Sequence, residues 1–242
     1  MIKGIDDKQE IRASVAMTAY NGGTYINEQI DSIINMMGSQ DELIISYDIS
    51  ADDTLGIIEN YAKQDSRIHI IQNPRSGVES NFNNAVMHCK GKYIFLSDQD
   101  DVWINDKINR MIDYFEKNHD CVVLICDGYE TTDELERVCG LFQSMRTSTN
   151  PLRNFIKGTY LGCQMAFRSS IRDKIWPVQE KPPIPHDLWL GIKGASYGGV
   201  KLLHNKLILH REHEDNFTLS SKMSIKGVLN NRFQLLKALL IK

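Results

Sequence analysis

The chain has 242 residues, a formal net charge of -3, a hydrophobic fraction of 42% and an aromatic fraction of 8%. This length suits one large α/β domain, or at most two small ones, and it can bury a core without disulfides. The near-neutral charge gives no reason to expect a nucleic acid as a partner.

Cysteine usage and the distribution of apolar residues bear on the cellular compartment. The five cysteines form no Cys-x-x-Cys pair and no zinc-like spacing, so we expect reduced, buried thiols. Residues 1–14 are charged and lack an apolar core, which predicts that they are not a signal peptide. No run of about 18 apolar residues occurs, which predicts no membrane span. We therefore expect a cytoplasmic protein.

Strand and helix patterns alternate through the first half of the chain. Short apolar runs predict strands, and apolar residues at helical spacing predict the helices between them. The predicted strands are 14–18, 42–47, 67–71, 93–96 and 121–126, and the predicted helices are 26–37, 55–61, 78–89 and 103–117. This alternation predicts an α/β fold with a Rossmann-like, mostly parallel sheet that helices cover on both faces.

The second half of the chain is less regular. Residues 131–151 are polar and are predicted to form a mobile connection. Four prolines within 176–185 exclude regular structure in that segment. The further predicted elements are a strand at 165–167, a helix that opens at Asp187, and two short strands at 200–203 and 207–210.

The C-terminal segment, residues 224–242, has apolar residues at helical spacing between basic ones, which predicts an amphipathic helix. Two interpretations of this helix stay open. It either packs on the domain as an ordinary closing helix, or it lies on a membrane surface near a lipid-linked acceptor. In the second case the protein is associated with the inner face of the membrane.

Polar segments follow three of the predicted strands, at 18–23, 48–53 and 97–101. In parallel sheets, ligands bind beyond the carboxyl ends of the strands. The carboxylates of Asp98, Asp100 and Asp101 would repel one another on a tight loop unless a cation lies among them. Oxygen ligands of this kind suit Mg²⁺ or Mn²⁺, which in turn bind diphosphates. The alternative is a solvated loop in which Asp101 caps the helix that starts near residue 103.

A series of motifs in consistent order extends over residues 11–217. The segment 91–103, GKYIFLSDQDDVW, carries the strongest signal, and the others are 15–22, 76–82, 162–167, 186–190 and 211–213. The ordered set resembles family 2 glycosyltransferases of the GT-A fold, most closely the bacterial polysaccharide branch described as rhamnosyltransferase-like.

This resemblance implies a domain organisation. Residues 1–217 would form a single GT-A domain, with a nucleotide-binding half at 11–129 and a smaller, mixed acceptor and catalytic half at 130–217. Residues 218–242 would form the C-terminal amphipathic helix.

The resemblance also implies roles for residues that bind the donor. Thr18, Ala19 and Tyr20 would line the nucleotide pocket, mostly through their backbone. Asp48 would contact the base and Asp98 the ribose. From the residues alone, Asp48 is as well explained as a turn residue.

The same resemblance implies the metal site and the reaction. Asp100 of the DXD motif and His213 would bind Mn²⁺ or Mg²⁺, and Asp187 would be the catalytic base of an inverting, single displacement. Without the resemblance, a helix N-cap is the better interpretation of Asp187. The residues expected to border the sugar and acceptor are Gly162, Cys163, His186 and Trp189.

The implied activity moves a sugar from a nucleoside-diphosphate sugar to a glycan or lipid-linked saccharide during synthesis of bacterial surface polysaccharide. His210 is expected to pack at the end of its strand, because it and His213 would point to opposite faces. Arg75 and Arg211 are candidates for contact with phosphate oxygens, and for Arg75 a solvated surface position fits equally well.

One motif departs from the family pattern, at residues 47–51. Tyr47 replaces an aspartate and Ile49 replaces a glycine, so Ile49 would be strained if this position needs a positive φ. The departure motivates an alternative, a catalytically impaired relative that binds nucleotide or glycan. A sugar nucleotidyltransferase is a weaker alternative, because no lysine accompanies the glycines at 22–23 that follow the first strand.

Overall fold

The computed structural model describes residues 10–181, 183–214 and 225–240. The predictions for residues 1–9 and for the domain boundary after residue 217 lie outside these described residues.

Alternating strands and helices build the first half of the chain, as predicted. The strands are β1 (Ala13–Ala19), β2 (Asp41–Tyr47), β3 (Ile68–Gln72), β4 (Tyr93–Ser97), β5 (Val102–Trp103) and β6 (Cys121–Thr131). The helices are α1 (Ile26–Ile34), α2 (Thr54–Gln64), α3 (Val78–His88) and α4 (Lys107–Lys117).

The second half contains shorter helices and three more strands. The strands are β7 (Arg137–Gly140), β8 (Met165–Arg168) and β9 (Gly199–Arg211). The helices are α5 (Leu141–Met145), α6 (Pro151–Lys157), α7 (Arg172–Ile175), α8 (His186–Gly194) and α9 (Ile225–Leu240).

The nine strands of the described residues form one mixed sheet in the order β3-β2-β1-β4-β8-β6-β9-β5, with β7 paired to the far part of β6. The strands β1 to β4 are parallel to one another, and β6 is parallel to β9. Strand β8 lies antiparallel between β4 and β6. The prediction of an α/β fold with a mostly parallel sheet is confirmed.

The sheet is buried on both faces because alternate residues of its central strands belong to two different core clusters. Val15 and Met17 of β1 pack with α1, α2 and α4 on one face. Ala16 packs with α3, α8 and α9 on the other face. Continuous apolar runs such as the one in β1 are typical of strands that are covered on both sides.

The predicted helix at 103–117 begins later than expected. Residues 102–103 form β5, which pairs antiparallel with β9, and Trp103 is buried. Asn105 and Asp106 have φ angles of 55° and 58°, so the backbone is left-handed just before α4. This geometry prevents the helix from extending upstream, and the prediction that Asp101 caps it is wrong.

Two other sequence predictions need correction. The polar stretch 131–151 contains β7, α5 and the first residue of α6 instead of an irregular connection, because β6 continues to Thr131 and pairs with β7. The two short strands predicted at 200–203 and 207–210 are one strand of 13 residues, β9, whose pairing with β6 shifts register along its length.

Helix α9 is apolar on two sides. Leu235 is 1% exposed and packs in the core cluster beside α3 and α8, which supports the interpretation as a closing helix. A second apolar stripe points away from the domain, and its residues are Leu229, Phe233, Leu236 and Leu240.

None of the described helices is long and apolar enough to cross a bilayer. The five cysteines are unpaired, and all except Cys139 are buried.

The packing of α9 predicts unequal effects of two adjacent leucines. We expect Leu235→Ala to lower the free energy of unfolding by about 2–4 kcal/mol, because it removes a buried side chain. Leu236→Ala, at a position 45% exposed, is the matched control and should cost less than about 1 kcal/mol. Urea denaturation measures both, and equal effects would mean that α9 does not pack as described.

Candidate active site

The candidate site lies at the carboxyl ends of three adjacent parallel strands, β2, β1 and β4. Register pairs Ala19 with Tyr47 and Met17 with Ser97, so the three following loops leave the sheet side by side. These loops are the polar segments that the sequence analysis singled out. Their predicted convergence is therefore present in the structure.

Side-chain hydrogen bonds join the loop after β1 to its two neighbours. The side-chain amide of Gln99 accepts from the Tyr20 backbone N–H at 2.7 Å and donates to the Tyr20 carbonyl at 2.8 Å. Asn21 accepts from the Ala51 N–H at 2.8 Å, and its own N–H donates to Ser50 Oγ at 3.0 Å. The backbone of Tyr20, a predicted nucleotide contact, is thus held in place by the acidic loop.

Asp98 lies half-buried directly after β4, at the predicted position of the ribose contact. Burial, and then repulsion from Asp100 and Asp101, raises the pKa of Asp98 to about 7. Both causes disfavour a third negative charge in this loop. A bound cation would relieve the repulsion among the three carboxylates.

Asp100 and His213 come together although 113 residues separate them. His213 follows the end of β9, and its Nε2 lies 3.1 Å from Asp100 Oδ2. The ring of His213 packs against Tyr25, with ring centroids 4.5 Å apart. Two ligand atoms about 2.1 Å from one octahedral ion are about 3 Å apart when they occupy adjacent positions. The spacing therefore fits the divalent metal predicted at this pair.

Asp101 is fully buried behind this pair and binds the end of β9. It accepts from His210 Nδ1 at 2.8 Å and from the Arg211 backbone N–H at 3.2 Å. Burial alone would raise the pKa of Asp101, but the charge and hydrogen bond of His210 hold it below its usual value. Burial opposes the charged imidazole as well, yet Asp101 raises the pKa of His210 to about 9. His210 is therefore an ion-pair partner, where the sequence analysis expected only packing.

The Asp101 and His210 side chains also approach Cys163, and the three offer ligand atoms within 4.8 Å of one another. Burial, and then the charges of Asp101 and Asp98, raises the pKa of the Cys163 thiol well above its usual value. A metal needs the thiolate form of cysteine. The raised pKa means that the Cys163 thiol stays protonated in the metal-free protein.

Arg211 is 4% exposed and is fully engaged with the protein. Its guanidinium donates to the Asp100 carbonyl at 3.0 Å and binds Glu28 of α1 and the carbonyl of Asp133. The sequence-based suggestion that Arg211 meets phosphate oxygens is therefore wrong. Arg211 fixes the backbone of the acidic loop, while the exposed Arg75 pairs with Glu180 at 2.8 Å.

The altered loop at residues 47–51 is not strained. Ile49 is 78% exposed and is absent from the described residues with positive φ, so its side chain causes no backbone conflict. Asp48 is buried and binds the next loop, accepting from Asn73 Nδ2 at 2.6 Å and from the Gly77 N–H at 3.0 Å. Carboxylate oxygens each accept more than one hydrogen bond, so a base contact by Asp48 stays a prediction.

Asp187 lies in the first turn of α8, after the proline-rich segment. Burial raises its pKa, and the adjacent His186 opposes part of that rise. The segment is fixed to α3 because the Asn83 side chain donates to the Val178 carbonyl and accepts from the Val178 N–H. Asp98 and His186 are close enough for the charge of each to act on the pKa of the other. The structure thus brings the acidic loop and the start of α8 together.

The four residues predicted around the sugar and acceptor have different positions. Gly162 contacts His186, whose ring fills the space beside the glycine. Cys163 is 1% exposed, and its carbonyl accepts from the buried Lys107 at 2.5 Å. Trp189 packs in the core, where its indole N–H donates to the Ile175 carbonyl at 2.8 Å. Trp189 does not line an open pocket, because both its ring and its N–H group are used in packing.

Several contacts that shape the site were not found from the sequence. Gln99 binds the backbone of Tyr20 and Arg211 binds the backbone of Asp100, and no sequence pattern reveals such contacts. Glu79 lies in the helix predicted at 78–89. An acidic residue in the first turn of a helix is common, so it is only a weak indication of a role in a site. The sequence has no sign of the pair of His210 with Asp101, which forms between residues 109 apart.

Comparison with known proteins adds independent findings. The family model for glycosyl transferase family 2 matches residues 14–176. The chain is 32% identical over 102 residues to a putative teichuronic acid biosynthesis glycosyltransferase, TuaG, of Bacillus subtilis, which covers 42% of this chain and 40% of TuaG. It is 38% identical over 103 residues to the dTDP-rhamnosyl transferase RfbG of Shigella flexneri, which covers 40% of this chain and 36% of RfbG. The matched part is 40 to 65% of the length of the first curated relatives.

Solved structures resemble the chain over nearly its whole length. Residues 1–349 of TarS from S. aureus, in complex with UDP-GlcNAc, superpose with a TM-score of 0.74 at 17% identity, covering 95% of this chain and 67% of that one. The mannosyltransferase PcManGT from Pyrobaculum calidifontis, with GDP-Man and Mn²⁺, gives a TM-score of 0.64 at 14% identity, covering 96% and 76%. At these identities the likeness establishes the fold.

The pair of Asp101 and His210 predicts how stability depends on pH. The His210 pKa of about 9 exceeds the unfolded value of about 6.5, so its stabilisation is complete below pH 6.5 and is lost as pH rises through 9. We expect loss of this ion pair to lower the free energy of unfolding by up to about 3 kcal/mol between those pH values. Urea denaturation in EDTA should show the loss in the wild type and a smaller one in His210→Gln. Identical pH dependence in the two proteins would contradict the ion pair.

Proposed function

This chain belongs to glycosyl transferase family 2 and has the GT-A fold, and on that basis we propose that it is a sugar-transferring enzyme. In this proposal it moves a sugar from a nucleoside-diphosphate sugar to a glycan or lipid-linked saccharide acceptor. The reaction belongs to synthesis of a bacterial surface polysaccharide, and it inverts the anomeric configuration. The printed names of relatives such as TuaG and RfbG support this class of activity.

The observation that carries the proposal is the 3.1 Å pairing of Asp100 with His213 beside Asp98. These groups lie at the carboxyl ends of parallel strands, where α/β sheets bind nucleotides. Asp100 and His213 would hold Mn²⁺ or Mg²⁺, and the bound ion would neutralise the departing diphosphate. TarS binds UDP-GlcNAc and PcManGT binds GDP-Man with Mn²⁺, which supports a nucleotide-sugar donor and a divalent metal.

Donor binding is assigned to the loops after β1, β2 and β4. The backbone at Thr18, Ala19 and Tyr20 lines the nucleotide pocket, Asp48 contacts the base and Asp98 accepts from a ribose hydroxyl. Asp98 must be ionised for this contact to be strongest. Relief of its repulsion by a cation would lower its pKa below the metal-free value of about 7, so nucleotide and metal would bind cooperatively.

Asp187 is the proposed catalytic base. It takes a proton from an acceptor hydroxyl as that oxygen attacks the anomeric carbon, and the nucleoside diphosphate leaves on the opposite side. The burial that raises the pKa of Asp187 makes the carboxylate a stronger base, while His186 opposes part of that rise and so favours its ionised form at neutral pH. The rest of the rate comes from holding both substrates in line.

The altered loop at 47–51 was the main reason to consider a catalytically impaired relative. Because this loop is unstrained, that reason no longer holds. Asp98, Asp100, Asp187 and His213 are all present in the described part of the chain. The nucleotidyltransferase alternative gains no support, since Gly22 and Gly23 are held by Thr54 and Asp52 and no lysine accompanies them. Transfer of sugar is therefore the activity that we propose.

Two substitutions separate binding from catalysis. A nucleoside diphosphate with Mn²⁺, at about 100 times its Kd, should raise the wild-type Tm by about 5–10 °C. We expect Asp100→Ala to abolish this metal-dependent shift. Asp187→Asn should keep the shift but lower kcat for sugar transfer or donor hydrolysis by about 10²–10⁴-fold.

The control is Asp173→Asn, a change at an exposed carboxylate of α7 that is 75% exposed. It should match the wild type in both the thermal-shift and the product assay. A full metal-dependent shift in Asp100→Ala would remove the assigned metal role. If the wild type binds nucleoside diphosphates but yields no product from any common donor, the impaired relative becomes the correct description.

We also propose that α9 contacts an anionic membrane surface, at the inner face of the membrane where a lipid-linked acceptor would be found. Its outward stripe is apolar, and two apolar side chains of α6, Leu152 and Ile156, are also exposed. Segments 150–158 and 225–242 contain basic residues but no Asp or Glu, so their charge complements acidic lipids. The packing of Leu235 leaves this stripe in place, so the closing role and the membrane role are compatible.

Vesicle binding tests the membrane contact. We expect the full chain to sediment with vesicles of anionic phospholipid and less with zwitterionic ones, and salt should weaken the binding. The double substitution Phe233→Gln with Leu240→Gln should reduce anionic-vesicle binding at least fivefold and leave Tm within about 2 °C, because both side chains are exposed. Unchanged vesicle binding would contradict the proposal, as would concentration-dependent dimers that disappear in the double variant.

A further inference from the structure

A buried histidine beside the proposed base has one ring nitrogen that the protein does not use. His186 Nδ1 lies 3.2 Å from the Glu79 carboxylate, and the ring stacks on Phe82 with centroids 3.9 Å apart. Its Nε2 is buried and has no hydrogen-bond partner among residues 10–181, 183–214 and 225–240. An unsatisfied buried group of this kind is costly, which suggests that a ligand completes its bonding.

The position of Nε2 identifies the part of the ligand that it would meet. Nε2 occupies the space where a Cβ atom at Gly162 would lie, so the missing side chain lets the ring approach the turn after residue 161. The charges of Asp187 and Asp98 both act on this ring. His186 thus lies near both the proposed base and the proposed ribose contact. In an in-line displacement, the transferred sugar lies between the acceptor oxygen, which the base deprotonates, and the departing diphosphate. A group near both Asp187 and Asp98 is therefore near that sugar.

We propose that Glu79, His186 and Gly162 form a donor-sugar subsite in which His186 Nε2–H donates a hydrogen bond to a hydroxyl oxygen of the transferred sugar. Glu79 is the positioning residue, and Gly162 provides the space for the ring. This inference rests on the proposed function, because a sugar lies at this position only if the chain binds a nucleotide sugar.

The protonation state of the ring decides whether Nε2 donates or accepts. A neutral ring whose Nδ1–H group donates to Glu79 has a lone pair at Nε2, whereas a protonated ring donates from both nitrogens. The charged groups that face the ring are Glu79 on α3, Asp187 on α8 and Asp98 after β4, while Arg232 on α9 acts on Asp187. Burial lowers the pKa of His186, but the three carboxylates outweigh it and raise the pKa to about 9. At neutral pH the ring is therefore a donor.

Binding measurements at two pH values test the subsite in the full chain with Mn²⁺. The probes are UDP, GDP and dTDP and their sugars UDP-GlcNAc, GDP-mannose and dTDP-rhamnose. At pH 8 we expect His186→Asn and Glu79→Gln to weaken binding of the accepted nucleotide sugar about tenfold, the effect of one hydrogen bond. Binding of the matching diphosphate should change less than twofold.

At pH 6 the two variants should differ. In Glu79→Gln the ring pKa returns toward about 6.5, so the ring regains its proton at pH 6 and nucleotide-sugar affinity recovers. His186→Asn has no such nitrogen and should stay weak at both pH values. The matched control is Glu116→Gln, which removes an acid that pairs with Lys92 on the surface, and it should resemble the wild type. Wild-type affinity in both site variants, or an equal loss of diphosphate binding, would overturn the subsite.

A measurement without any donor separates this inference from the proposed function. Imidazole ¹⁵N NMR of the metal-free protein should show both His186 nitrogens protonated at pH 8 in the wild type and a neutral ring in Glu79→Gln, with His186→Asn giving the assignment. A wild-type ring that is neutral at pH 8 overturns the subsite alone. A protonated ring in a protein that binds no nucleoside diphosphate or nucleotide sugar overturns the proposed function, and with it the subsite.

Discussion

Three aspartates lie within the four residues that follow β4, and their mutual repulsion constrains the surrounding structure. A histidine from a distant part of the chain lies near each one: His186 near Asp98, His213 near Asp100 and His210 near Asp101. Two of these histidines come from the end of β9, and the third comes from α8. The acidic loop is therefore the point at which the two halves of the chain meet electrostatically, and its folding depends on both.

Helix α3 is the second element on which the site depends. One face packs Phe82 and Val86 into the core, and the adjoining side chains bind the segment that precedes α8. Asn83 bonds both backbone groups of Val178, while Glu79 and Phe82 hold the His186 ring. A helix of the first half of the chain thus contacts the segment that carries the proposed base in the second half. This arrangement explains how a proline-rich segment without regular structure can still hold a reacting group in place.

Much of the first half could be predicted from the sequence, because buried strands and amphipathic helices each leave a strong local pattern. The convergence of the polar loops followed from parallel strand order alone. The start of α4 was missed because left-handed residues at 105 and 106 have no hydrophobic signature. The core position of Trp189 and the contacts of Arg211 depend on partners far away in sequence, and no periodicity reports such contacts. Motif order predicted roles for Asp100, His213 and Asp187, and these stay predictions, while the contacts of Gln99 and Glu79 became visible only in three dimensions.

Strand β6 has 11 residues and continues through residue 129, where the sequence analysis placed a boundary between halves. Its early part pairs with β8 and its later part with β7, while β9 accompanies it for most of its length. A continuous strand of this kind cannot serve as a hinge, because bending it would break ladder hydrogen bonds on both sides. Any opening and closing around substrates would therefore take place in segments outside this strand. Access of substrates to the candidate site would therefore depend on motion of the loops beside the sheet, and not on rotation of one half of the chain against the other.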